Sequence, residues 1–364
     1  MEEIEKVKEE SMDLVPKEKA EIEKSDKKRL IRLNPREYEH GLDRKALNTL
    51  EGTPGLEKIV RKINKHGVER VIRLIYTGSY LRVNETNFPD IYNILIEVCN
   101  NIQLKNIPEL YIQWDYKVNA RAVGSENPII ILNSGAVDLL SKDELLWLIG
   151  HEAGHIKSGH MLYHDMALVI PILGDIISSA TLGIGGLVSS SIMLALLYWY
   201  RMSELTADRA GLLACQDIDV AISTLMKMSG VPQSFYDKIK KEDYIEQARK
   251  FKGYDYDALD NIAKTAMIMI QDHPWTVMRA SELLRWVDSG KYQKIVETHS
   301  KMAEGDEDTL LTCLKCSAVL KEDDRFCPDC GEKTYLFCPK CNAKLDGTKS
   351  FCSSCGSKLN ILAR

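Results

Sequence analysis

Residues 151–155 read His151-Glu152-Ala153-Gly154-His155. On a helix, positions i and i+4 share one face. His151 and His155 can therefore present two imidazoles to one metal ion, and Glu152 beside the first can reach a water held by that ion. The flanks predict the helix. Asp143-Glu144-Leu145-Leu146-Trp147-Leu148-Ile149 is an amphipathic run, and Ser141 is placed to cap its N-terminus.

A catalytic zinc takes three protein ligands and leaves one position open. The extension H-E-x-x-H-x-x-G-x-x-H is excluded, because Gly159 and His160 each fall one residue out of register. The other solution is a carboxylate from a later helix, and Ser203-Glu204-Leu205-Thr206-Ala207-Asp208-Arg209-Ala210-Gly211 offers one. Glu204 could complete the metal site. Asp208, four residues on, could accept the outer N–H of a ligand imidazole, His151 by preference. Alone, the two acids would read as a solvated pair beside Arg201 and Arg209; downstream of the two histidines the metal reading prevails. His273-Pro274-Trp275-Thr276-Val277-Met278-Arg279 follows. Once Glu152 has activated water, the developing oxyanion needs a partner besides zinc, and His273 and Arg279 are the candidates. A histidine before proline also has a purely structural reading.

Taken in order, H-E-A-G-H, S-E-L-T-A-D-R-A-G and D-H-P-W-T-V-M-R-A resemble the three blocks of the HtpX and CAAX-prenyl-protease type of zinc endopeptidase, a group of gluzincins. Asn119-Ala120-Arg121-Ala122-Val123-Gly124 and Ile129-Ile130-Ile131-Leu132-Asn133-Ser134-Gly135 resemble that group's strands before the active-site helix, and the likeness extends over residues 60–290. The resemblance implies an α+β fold: a mainly helical metallopeptidase domain with a small β-sheet. It implies that His151, His155 and Glu204 bind zinc, that Glu152 is the general base, and that Asp208 orients a ligand. It implies that His273 and Arg279 stabilise the transition state or hold substrate. The strand near Asn119 and Ala120 would be the edge on which a peptide lies by β-augmentation. Damaged or unfolded proteins are the substrates it suggests.

The second strong signal is a cysteine repeat. Cys313-x-x-Cys316 and Cys327-x-x-Cys330 are followed by Cys338-x-x-Cys341 and Cys352-x-x-Cys355 at matching intervals. Each unit supplies four thiolates as two knuckles, which suits one structural zinc. Gly331 and Gly356 follow the second knuckles, where a tight turn is needed. Units this short have no apolar core, so metal must supply their folding energy. The competing disulfide framework lacks a secretory signal to go with it. The expected complement is three Zn2+, one catalytic and two structural. The ribbons suit a protein partner; they lack the basic, aromatic stripe of a nucleic-acid reader.

The 364-residue chain carries a net charge of −5, which offers nucleic acid or an anionic membrane no strong attraction. Its N-terminus lacks the basic-then-apolar pattern of a signal peptide, which favours a cytoplasmic site. The expected organisation is a charged tail (1–40), a metallopeptidase domain (41–300), a linker (301–308) and a tandem zinc ribbon (309–364). Within the domain, 166–200 is apolar, with Asp175 its exception and glycines near its middle. It reads as a helical hairpin, either buried or anchored at the cytoplasmic face of a membrane, with Tyr198, Trp199 and Tyr200 as an interfacial belt. His160 and His164, four apart, read as helix-surface histidines, with a second metal site as the alternative. Cys99 and Cys215 read as buried small hydrophobes. The rival to an enzyme is a catalytically silent zinc protein that recruits partners through its ribbons.

Overall fold

The computed structural model describes residues 27–52, 69–167, 184–251 and 275–304, with parts of 320–357. His273, Cys313, Cys316 and Cys330, the expected tail's first 26 residues and residues 168–183 of the expected hairpin lie outside the described residues.

The fold is mainly helical with one small mixed sheet. Helices α1 (Pro35–Tyr38), α2 (Gly41–Glu51) and α3 (Glu69–Ser79) precede strand β1 (Leu81–Val83) and α4 (Pro89–Asn101). Strands β2 (Glu109–Gln113), β3 (Ala120–Val123) and β4 (Ile129–Asn133) complete the sheet. Its order is β1-β2-β4-β3. β2 and β4 run parallel, with Tyr111 opposite Ile131, whereas β3 returns antiparallel, with Ala120 opposite Leu132. β4 lies between two neighbours and is buried at every residue, which is why Ile129-Ile130-Ile131-Leu132 is an unbroken apolar run. Among the described residues β3 is an edge.

α5 (Ser134–Leu139) leads into α6 (Lys142–Lys157), which carries both histidines. Ser141 caps α6 in a full capping box: Glu144 N–H donates to its hydroxyl at 3.3 Å, and its own N–H donates to the Glu144 carboxylate at 2.8 Å. Lys227 and Ser223 each donate to the same buried carboxylate at 2.6 Å, which ties the start of α6 to α8 (Ile218–Met228).

The long helix α7 (Ile184–Cys215) crosses α6 at close range. A Cβ on Gly154 would stand 2.4 Å from Ala210 Cβ, and one on Gly150 2.5 Å from Ala214 Cβ. Glycine on α6 facing alanine on α7 lets the backbones approach, and that approach carries Glu204 to the two histidines. Gly154→Ala is therefore expected to destabilise the fold by about 1–3 kcal/mol through overpacking. Gly154→Ala with Ala210→Gly should recover most of this, because the methyl has only changed sides. Chemical denaturation of the three proteins checks it; a double variant no better than the single one would contradict the seam.

Gly185 and Gly186 lie inside α7, and residues 168–183 of the expected hairpin lie outside the described residues. Trp199 is not part of an interfacial belt. It is fully buried and packs edge-on against His160, His164 and Tyr163, with ring centroids 5.6, 5.3 and 5.4 Å away. The imidazoles give the indole a polar, packed environment that the sequence does not display. Among the described residues no helix is long and apolar enough to cross a membrane.

α9 (Lys241–Phe251), α10 (Thr276–Asp288) and α11 (Lys291–Glu304) close the domain. α11 continues through the first residues of the expected 301–308 linker. It is latched to the N-terminal segment by His299, whose ring nitrogens lie 2.6 Å from the Ile31 carbonyl oxygen and 2.8 Å from Glu37 Oε2. Burial opposes the charged ring, but the Glu37 hydrogen bond and charge outweigh it and raise the His299 pKa above 6.5. A raised folded-state value means the latch contributes fully below the unfolded pKa and fades as pH rises through the folded one. The stability lost in Glu37→Gln should thus be larger at pH 6 than at pH 9; equal losses would show that the ring does not change charge between them.

Candidate active site

His151, His155 and Glu204 come together from α6 and α7, each nearly fully buried. His151 Nε2 and His155 Nε2 are 3.2 Å apart, and Glu204 oxygens lie 3.5 Å and 3.3 Å from them. Ligands 2.0–2.1 Å from a tetrahedral zinc stand about 3.3–3.4 Å from one another. The two Glu204 distances run to different oxygens, Oε2 and Oε1, and all three separations have the size and donor chemistry of a zinc site.

Asp208, one turn beyond Glu204, takes the outer nitrogen of His151: Nδ1 and Oδ1 are 3.0 Å apart. Arg279 from α10 holds the same carboxylate from behind, Nε donating to Oδ2 at 2.9 Å and Nη2 to Oδ1 at 2.5 Å. The guanidinium lies under the Trp147 ring, 5.9 Å from its centroid, and is 1% exposed. The sequence suggested Arg279 for the oxyanion or the substrate. In the structure the cation is paired with Asp208, a buried carboxylate that needs it, while its Nη1 lies 3.7 Å from Glu204 Oε2 and its side chain lines the cavity beside the site. Burial works against a charged Asp208, yet Arg279 and His151 together lower its pKa.

Burial also penalises a charged imidazole. At His151 the Asp208 and Glu204 carboxylates overcome this and lift the pKa to about 9. At His155 burial prevails and the value falls to about 4. Glu152 is 4% exposed and near enough to Tyr200 to raise that phenol's pKa, together with burial, the largest cause, and Glu204.

A cavity of about 800 Å³ opens beside these helices. Asn119 and the strand β3 that follows it form one wall, Val231 and Tyr236 another, and Tyr200 and Arg201 line it near the donor cluster. The exposed Trp114, Tyr116 and Phe235 belong to the segments around it. The sequence suggested Tyr200 only for an interfacial belt and Arg201 only as a charge beside Glu204 and Asp208, although their place directly before Ser203-Glu204 was a positional clue to this cavity.

His160 and His164, read as surface residues, are buried against His155. The turn after α6 folds them inward; the four-residue spacing alone does not reveal which side is covered. Cys99 and Cys215 are buried free thiols, as expected.

In the C-terminal part, Cys338, Cys341, Cys352 and Cys355 converge. Their Sγ atoms are 3.7 Å apart for Cys338–Cys355 and 3.6 Å for Cys341–Cys352. This is far beyond a disulfide and close to the ~3.8 Å edge of a tetrahedron with 2.3 Å zinc–sulfur bonds. The Ser357 hydroxyl lies 3.3 and 3.1 Å from Cys338 and Cys355 Sγ and lowers both thiols toward thiolate. Gly331 and Gly356 have φ of +68° and +67°, as the knuckle turns require. Antiparallel bridges Phe326–Lys333 and Phe337–Lys344 flank the knuckles that begin at Cys327 and Cys338. Of the first unit's four cysteines, Cys327 alone is among the described residues.

Residues 85–287 match the family model described as Peptidase family M48, and residues 313–356 the one described as Double zinc ribbon. The chain is similar to plastoglobule-localized metallopeptidase 48, chloroplastic, of Arabidopsis thaliana: 27% identical over 73% of this chain and 76% of that protein. It is also similar to a Protease HtpX homolog of Thermodesulfovibrio yellowstonii, 32% identical over 24% of this chain and 32% of that protein. Protease HtpX of Xylella fastidiosa is 27% identical over 31% of this chain and 40% of that protein. The chain thus spans only about a third of these two relatives' length. No solved structure matches.

Proposed function

Because this chain belongs to peptidase family M48, we propose that it is a zinc-dependent endopeptidase that hydrolyses extended polypeptide laid along β3. The observation that carries the reading is the donor face of His151, His155 and Glu204, whose edges of 3.2–3.5 Å fit one zinc. When bound, zinc supplies a Lewis acid that polarises the peptide carbonyl and acidifies water.

The chain's own residues do the rest. Glu152, beside His151 and outside the donor face, takes a proton from the attacking water and returns it to the leaving amine. Asp208 keeps the His151 proton on Nδ1, so that Nε2 is left as a donor. The edge strand β3, from Ala120 on, together with Asn119 just before it, pairs with the substrate backbone. His273 is assigned to the oxyanion by its place in the H-P-W motif. A cleft walled by a strand edge and flanked by exposed aromatics favours an unfolded chain over a folded domain, which supports a role in removing damaged proteins. The C-terminal 309–364 forms two structural zinc ribbons that present a surface to a protein partner.

A silent zinc-binding protein is less well supported. A structural site closes with a fourth protein donor, and among the described residues this cluster offers three.

The test is zinc content beside casein cleavage. Three zincs per chain are expected, with cleavage lost on chelation and regained on zinc addition. Full cleavage after the zinc is gone would overturn the reading.

A further inference from the structure

The turn that ends α6 has a chemical result. Gly159 adopts φ +75°, and His160 N–H returns to the His155 carbonyl at 3.1 Å, the closure of a Schellman-type cap. The His160 ring is thereby laid against His155, their Nδ1 atoms 2.9 Å apart. On its far side, His160 Nε2 lies 3.3 Å from Asp43 Oδ2, to which the Thr206 hydroxyl also donates at 2.5 Å. All four side chains are buried, Asp43 and Thr206 completely.

Proton placement follows from the contacts. His155 turns Nε2 toward Glu204 and His151, so its ring proton belongs on Nδ1. Two nitrogens at hydrogen-bond distance share one proton, so His160 Nδ1 accepts. His160 then carries its own proton on Nε2, facing the Asp43 carboxylate. Asp43 sits in the first turn of α2, where the helix dipole favours its charge.

We propose that His160 and Asp43 are positioning residues for the catalytic metal: Asp43 fixes the tautomer of His160, and His160 fixes the tautomer and ring plane of His155. This rests on the reading of His151, His155 and Glu204 as the zinc site. It mirrors the Arg279–Asp208–His151 arrangement, so each ligand imidazole has its own outer partner. Asp43 lies outside the matched residues 85–287. The segment before the family's domain therefore reaches into the metal site, stapled there by Thr206, which also accepts the His40 N–H at 3.0 Å. His164 has a different partner: its Nε2 is 2.9 Å from Ser203 Oγ.

Native mass spectrometry of the full-length protein against graded EDTA tests this, with zinc counted per chain. Glu204→Ala identifies which zinc belongs to the site. His160→Leu is expected to give up that zinc at about 10–100-fold lower EDTA. His160→Asn, which keeps an acceptor near the Nδ1 position, should hold it nearly as well as the wild type. Asp43→Asn, which keeps the shape but not the charge, should fall between them. Zinc retention by His160→Leu equal to wild type, by His160→Asn as poor as His160→Leu, or by Asp43→Asn unchanged would each overturn the proposal. Loss in His160→Leu of a zinc other than the one lost in Glu204→Ala would make the histidine cluster a second metal site and also overturn it. No zinc lost in Glu204→Ala would overturn the zinc-site reading itself, and the relay with it.

Discussion

Glu152→Gln is expected to keep its full zinc content while casein cleavage falls on the order of 10²–10⁴-fold, the usual contribution of a general base. The reasoning is geometric. Glu152 stands between the two histidines in sequence but contributes no atom to the donor face formed by His151, His155 and Glu204. Its side chain is 4% exposed, so the amide, of equal size, fits the same space. What the amide lacks is an oxygen basic enough to take a proton. Zinc content and melting temperature should therefore match the wild type while turnover collapses. A fall in KM alone, or cleavage within a few-fold of wild type, would assign the proton transfer elsewhere. Loss of zinc in this variant would instead place Glu152 among the ligands.

The parts of this site that could be read from sequence are those whose logic is local. His151 and His155 meet because four residues make one helical turn. Ser141 caps α6 because Glu144 stands three residues on. Glu204 and Asp208 share a face for the same reason as the histidines, and the Gly-following knuckles of the ribbon repeat at fixed intervals. The edge position of β3 could be expected only through resemblance, since pairing order is not written in a strand's own residues. What stayed hidden depends on packing between distant segments. Trp199 beside Tyr198, Tyr200 and Arg201 has the composition of a membrane interface, and only the placement of His160 and His164 against it shows a protein core. His160 looked like a surface residue because its spacing from His155 does not show which way the turn folds it, and its other partner, Asp43, is more than a hundred positions away. Arg279 followed a motif that suggested contact with substrate, and its bond to Asp208 became evident only once α10 was placed against α7.

That bond supports the second large effect. Arg279→Met should destabilise the fold by about 3–5 kcal/mol, because it leaves the Asp208 carboxylate buried without its counter-charge. Asp208 is 1% exposed and Arg279 likewise, so water cannot replace the guanidinium. The uncompensated acid would take up a proton, and its hold on the His151 Nδ1–H would weaken. Removing both partners separates the two consequences. Asp208→Leu with Arg279→Met replaces the pair by apolar groups, which proteins often tolerate at little cost, so the double variant should recover much of the stability. It should not recover the site. His151 would have lost the acceptor that sets its tautomer, and zinc should be held about 10–100-fold more weakly. Denaturation midpoints and competition for zinc by a chelator give the two readings on the same proteins. A single variant costing under 1 kcal/mol would mean that Asp208 has another counter-charge. A double variant that regains wild-type zinc affinity would show that the pair serves the fold alone, and that His151 is oriented by its helix without help from Asp208.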